Sequence, residues 1–132
     1  MMKKIITLLL VVSSLACLAQ TVKFSQLVNT SWKMVSPRMD NYDMIIKFSA
    51  DTMSFISSYS YLNKKETLNE TYYISSDVPT KFQKSLVGEN LSGSYIAEYN
   101  GLMLMWTKVN SIENDTLNIT NDQGYSFLFK KQ

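Results

Sequence analysis

Ser31-Trp32-Lys33-Met34-Val35-Ser36 reads as a β-strand, with Trp32 and Met34 on one face and Lys33 on the other. Pro37 ends it, because proline brings no donor to a ladder and fixes φ. After the polar stretch Arg38 to Asn41, Tyr42-Asp43-Met44-Ile45-Ile46-Lys47-Phe48 sets Tyr42, Met44, Ile46 and Phe48 against Asp43 and Lys47, the period-two pattern of a half-buried strand. Ser49-Ala50-Asp51 then makes a turn, and Thr52 to Tyr59 returns with Met53, Phe55 and Tyr59 on one face, which predicts a hairpin. Before the first strand, Val22, Phe24, Leu27 and Val28 suit either a short helical turn or an irregular lead-in.

The pattern continues toward the C-terminus. Asn63 to Glu66 is a charged turn, and Thr67 to Ser75 resumes a β pattern rich in Thr, Tyr and Ile. Ser76 to Gly93 holds Pro79, Gly88 and only scattered apolar residues, so it reads as a long connection with room for one short strand. Ser94 to Tyr99 and Leu102 to Val109 flank Asn100-Gly101, a strong two-residue hairpin signal. Ile112 to Thr120 and Gly124 to Lys131 form a further hairpin across Asn121 to Gln123. About eight short strands joined by tight turns indicate an all-β antiparallel meander, closed as a barrel or packed as a sandwich.

The first nineteen residues form a separate unit. Lys3 and Lys4 give a positive start, Ile5 to Leu15 an apolar core, and Cys17-Leu18-Ala19 a small-residue end, the build of a secretory signal peptide at 1-19 ahead of one domain at 20-132. Export to the periplasm or the extracellular space is the expectation. No stretch reaches the roughly 20 apolar residues of a transmembrane helix. Cys17 is the only cysteine, and two fates are open to it: removal with the peptide, or retention as the attachment point of a lipid anchor. Loss of Lys3 and Lys4 with the peptide takes Lys+Arg from 13 down to the same number as Asp+Glu, 11. The basic balance therefore belongs to the leader, and no nucleic-acid partner is expected.

Several short motifs recur in a distinctive order: Leu-x-x-Thr-x-Trp-Lys (Leu27 to Lys33), Ile-x-Phe-Ser (Ile46 to Ser49) with Asp51-Thr52, Tyr72-Tyr73-Ile74-Ser75, Gly93-x-Tyr95-Ile96, and Asp115-Thr116-Leu117 ahead of Phe-x-Phe-Lys (Phe127 to Lys130). In this order the chain resembles the small secreted bacterial lipocalin-like proteins of the calycin superfamily, over nearly all of 20-132. The resemblance implies a single antiparallel lipocalin-like (calycin) β-barrel. It also implies that Trp32 closes one end, packed by a basic residue from late in the chain, for which Lys130 is the counterpart. Thr30 departs from the pattern, standing where the family has glycine, and no helix follows the last strand before Gln132.

The chain declares no activity. With no histidine and no cysteine beyond Cys17, histidine- and cysteine-based catalysis and metal binding lose their ligands. Glu98 and Glu113 read as solvated strand residues rather than a catalytic pair, so neither enzyme activity nor a cofactor is expected. Trp32, Met34, Met44, Phe48, Met53, Phe55, Tyr72 and Phe127 are the candidates for the barrel interior, either lining a ligand site or filling the core. Eight strands enclose just enough space for one or the other. The size of these residues favours a mostly filled barrel with a shallow open mouth. Trp106 is out of phase with Met103 and Met105, so one of the two groups must lie outside the barrel or under a loop. Two functions are in view: binding of a small apolar or amphipathic ligand at the mouth, or contact with an envelope protein through the outer face or the long loop.

Overall fold

A computed structural model describes residues 20–132; the expected signal peptide at 1-19 and Cys17 lie outside them. The strands are β1 (Val22–Lys23), β2 (Thr30–Ser36), β3 (Tyr42–Phe48), β4 (Thr52–Tyr59), β5 (Lys64–Ser75), β6 (Ser92–Gly93), β7 (Tyr95–Tyr99), β8 (Leu104–Glu113), β9 (Thr116–Asn121) and β10 (Ser126–Lys131), with one helical turn, α1 (Phe24–Leu27), ahead of β2. Eight of them close into an antiparallel barrel in the order β10-β2-β3-β4-β5-β7-β8-β9, and β1 pairs with β6 in a separate ribbon. Every barrel strand pairs with its neighbours in the meander, so the sandwich alternative falls away. No described helix is long and apolar enough to cross a membrane.

The alternation that identifies the strands also decides which side chains turn inward. Trp32 lies opposite Ile46, Ile46 opposite Phe55, and Phe48 opposite Met53, so these face the interior together. One end of the barrel is solid. Trp32, Phe48, Met53, Tyr72, Ile74, Ile96, Val109 and Leu117 are buried there, with Leu27 of α1 and Val22 of β1 packed over them as a plug. Each such side chain removed from water contributes about 1.5–3 kcal/mol. Two buried polar groups at this end are satisfied locally. The Tyr72 hydroxyl donates to the Ser49 carbonyl at 2.6 Å, and Trp32 Nε1 donates to Thr30 Oγ1 at 2.7 Å.

Lys130 is not the neighbour of Trp32. It stands opposite Lys33 on the outer side of the ladder, whereas Lys131 stands opposite Trp32. The indole is served by Thr30, the residue that departs from the family pattern.

Three connections differ from the sequence reading. β5 begins at Lys64, three residues before the expected Thr67, because Asn63 takes a left-handed conformation (φ 47°) and completes the turn there. β8 runs on to Glu113, and the reversal falls at Asn114-Asp115, both with positive φ (49° and 60°), inside a segment expected to be one strand. The Asn100-Gly101 turn spans four residues. Asn100 Oδ1 accepts from the backbone of Leu102 and Met103 at 2.9 and 3.0 Å, and β8 starts only at Leu104.

The 76–91 connection folds back along the outside of the barrel. Phe82 stacks on Tyr99 with ring centres 5.0 Å apart and leans on Tyr73 at 5.1 Å. The Tyr73 hydroxyl donates to the Lys81 carbonyl at 3.1 Å. The short strand expected in this region is β6, and Gly93 within it presses against the backbone of Ser75.

Candidate functional site

The end of the barrel opposite the plug is open. Four connections surround it: residues 37–41 between β2 and β3, 60–63 between β4 and β5, 100–103 between β7 and β8, and 122–125 between β9 and β10. Below them lies a cavity of about 660 Å³. That volume is within the range of small-molecule sites, roughly 300–1,000 Å³. Its walls are the inward positions of the upper strand halves: Met44 and Ile46, Phe55, Leu68, Met105, Ile119, and Phe127 with Phe129.

Of the eight interior residues named from sequence, Met44, Phe55 and Phe127 line this cavity. Trp32, Phe48, Met53 and Tyr72 are buried in the solid half beneath it. Met34 packs against the core only in part and borders a separate shallow cleft with Pro37 and Met39. The barrel is thus filled at one end and hollow at the other. Met105 stands opposite the inward Glu98, whereas Trp106 stands opposite Ala97 on the other face of the sheet, its ring edge-on against Tyr95 at 5.6 Å.

The cavity holds two carboxyl groups that sequence reasoning missed. Glu98 is 4 % exposed and Glu70 is 5 % exposed, so the expectation that Glu98 is solvated is overturned; Glu113 is exposed. Glu98 shares a face with Ile96, as Glu70 does with Tyr72 and Ile74, and the closed barrel turns both faces inward. The parity was visible in the sequence, but the charge argued against using it. The two groups meet because β5 and β7 are neighbours, with Tyr72 opposite Glu98.

Thr107 Oγ1 donates to Glu98 Oε2 at 2.6 Å, and Glu70 lies near enough for its charge to raise Glu98. Glu70 Oε2 is buried without any partner. Burial raises Glu98 well above the ordinary carboxylate range, and repulsion from Glu70 and Asp122 adds to this against the Thr107 hydrogen bond. Glu70 is raised too, by burial first and also by Asp122. Two neighbouring buried carboxyl groups cannot both ionise cheaply, so the pair holds a proton into the range where a free glutamate has lost it.

Among the described residues the charged groups lining the cavity are all acidic: Glu66, Glu70, Glu98 and Asp122. Lys64 pairs with Glu66 at 2.8 Å, both exposed at the rim. Among the described residues no group of three or more His, Cys, Asp or Glu could hold a metal ion. The chain matches no protein-family model, and comparison with curated proteins and with solved structures gives no match.

Proposed function

We propose that the protein is an exported, non-catalytic binding protein that takes a small amphipathic molecule into the open end of its barrel. The supporting observation is the cavity itself, about 660 Å³ walled by Met44, Phe55, Leu68 and Phe127 above a solid floor. The hollow half fits this reading, because a barrel needed only as a scaffold gains stability by filling its interior. A lipocalin-like relationship is supported by the closed eight-strand meander and by Trp32 at the plugged end, behind a helical turn. Export rests on the signal-peptide pattern of residues 1-19, with a lipid on Cys17 as the alternative that would tether the barrel to a membrane.

The non-catalytic reading rests on the chemistry of the lining. The described walls carry no histidine, cysteine or lysine, and the buried carboxyls Glu70 and Glu98 titrate against each other rather than standing as a separate acid and base.

The test is fluorescence of N-phenyl-1-naphthylamine, an uncharged dye that brightens in apolar surroundings. Saturable enhancement is expected with the native protein, and Met44→Trp, which places an indole in the cavity, should abolish it while the protein stays folded. Equal enhancement in both proteins would remove the cavity from the account.

A second reading, an interaction module of the cell envelope, is favoured by the rim. Met39, Tyr61, Leu62, Leu102, Met103 and Tyr125, spread over all four mouth connections, are exposed apolar or aromatic residues, and such a patch suits protein contact. Co-purification of a stoichiometric envelope protein, lost in Leu102→Asp, would favour that reading over the first.

A further inference from the structure

The geometry points to a ligand with an N–H-bearing ammonium head, seated on Glu70 and Glu98 at the cavity floor, and an apolar tail running up to the mouth. This inference rests on the ligand-binding reading above and specifies the chemical class.

Three observations carry it. First, Glu70 lines the cavity, and its Oε2 is buried with no hydrogen-bond donor among the described residues. An unpaired buried acceptor is costly unless something supplies a donor. Thr107 already serves Glu98, so the vacant acceptor is on Glu70. Second, the charges have one sign: Glu66, Glu70, Glu98 and Asp122 line the cavity, and no lysine or arginine does. The field therefore attracts a cation and repels the carboxylate of a fatty acid. Third, the buried carboxyl pair and the upper apolar wall are set at different heights along the barrel. Glu98 is level with Tyr72 at the top of the solid core, whereas Phe55, Leu68 and Phe127 rise above the pair toward the rim.

A bare metal ion is a poorer fit. Calcium takes about 6–8 oxygen ligands, and the carboxyl pair with Thr107 offers too few. A quaternary ammonium would bring charge but no donor for Glu70 Oε2. An alcohol would bring a donor but no charge. Binding of the ammonium should also release to solvent the proton that burial keeps on the glutamate pair, because a cation beside them favours their ionised forms. The charged groups facing the pair are Asp122 and Glu66 from the rim, Lys64 being engaged by Glu66.

The test compares three probes with one tail, octylammonium, 1-octanol and octanoate, by titration calorimetry at pH 7 on the purified protein. Octylammonium should bind about tenfold or more tightly than octanol, the margin expected of a charge-assisted hydrogen bond over a neutral one, with octanoate weakest. Its apparent heat should vary with the ionisation enthalpy of the buffer, the sign of a released proton. In Glu70→Gln and in Glu98→Gln, each close in shape to the native residue and each checked as folded by circular dichroism, the preference for octylammonium over octanol should fall to about twofold or less. Equal affinities for octylammonium and octanol, or a preference that survives both substitutions, would overturn the inference. If N-phenyl-1-naphthylamine still binds in that case, only the head-group assignment fails. If neither the dye nor any octyl probe binds, the ligand-binding reading fails with it.

Discussion

A single hydroxyl holds the plugged end of the barrel in register. Thr30 Oγ1 donates to the Leu27 carbonyl and accepts from Trp32 Nε1, tying the helical turn α1 to the first barrel strand and satisfying an indole N–H that is almost wholly buried. Valine at this position keeps the shape and removes both bonds. Thr30→Val should therefore cost about 1–3 kcal/mol, the cost of leaving a buried donor unpaired, read as a lower midpoint in urea with an unchanged slope. An unchanged midpoint would show that water reaches the indole. That Trp32 is a core residue was legible from its strand pattern. Its partner was not, because the lipocalin resemblance implied a cation from the last strand, whereas the ladder turns Lys130 to the outside.

The strands follow from alternation, and their limits follow from turn chemistry. β3 and β4 match their expected bounds, since Tyr42 to Phe48 and Thr52 to Tyr59 alternate cleanly between breakers. The β8–β9 reversal was hidden, because Asn114 and Asp115 adopt positive φ without a glycine to mark the site. Gly93 shows the opposite case, a glycine needed for space rather than for its φ. A Cβ there would lie 2.2 Å from the Ser75 carbonyl oxygen, so the β1–β6 ribbon could not pack against the end of β5. Gly93→Ala should lower stability by about 1–3 kcal/mol, as overpacking does, and should expose the β1 and β6 amides to early hydrogen exchange. Native-like protection of Val22 and Gly93 in this variant would contradict the proposed contact. The cavity-lining glutamates belong to the same lesson: parity placed Glu70 with Tyr72 and Glu98 with Ile96, but only closure of the sheet makes that face an interior.

For the whole molecule, a solid half supplies stability and a hollow half holds groups that oppose it. Below the ordinary glutamate value of 4.5, Glu70 and Glu98 are protonated in both folded and unfolded chains and contribute no pH dependence. As pH rises past that value the unfolded chain releases its protons while the folded pair retains them, so the pair's contribution to stability falls with pH until the folded carboxyls ionise as well. The melting temperature of Glu98→Gln should accordingly decline less between pH 5 and pH 8 than that of the native protein, and should exceed it at pH 8. Parallel profiles would show that the pair is solvated. The central claim, that the open end of the barrel receives the ligand, is tested most directly by mapping backbone amide shifts in ¹⁵N-labelled protein during titration with N-phenyl-1-naphthylamine. Saturable shifts concentrated at Phe55, Leu68, Glu70, Glu98, Met105 and Phe127, with Tyr73, Phe82 and Tyr99 unmoved, are the predicted result; shifts centred on that outer aromatic cluster, or none that saturate, would contradict it.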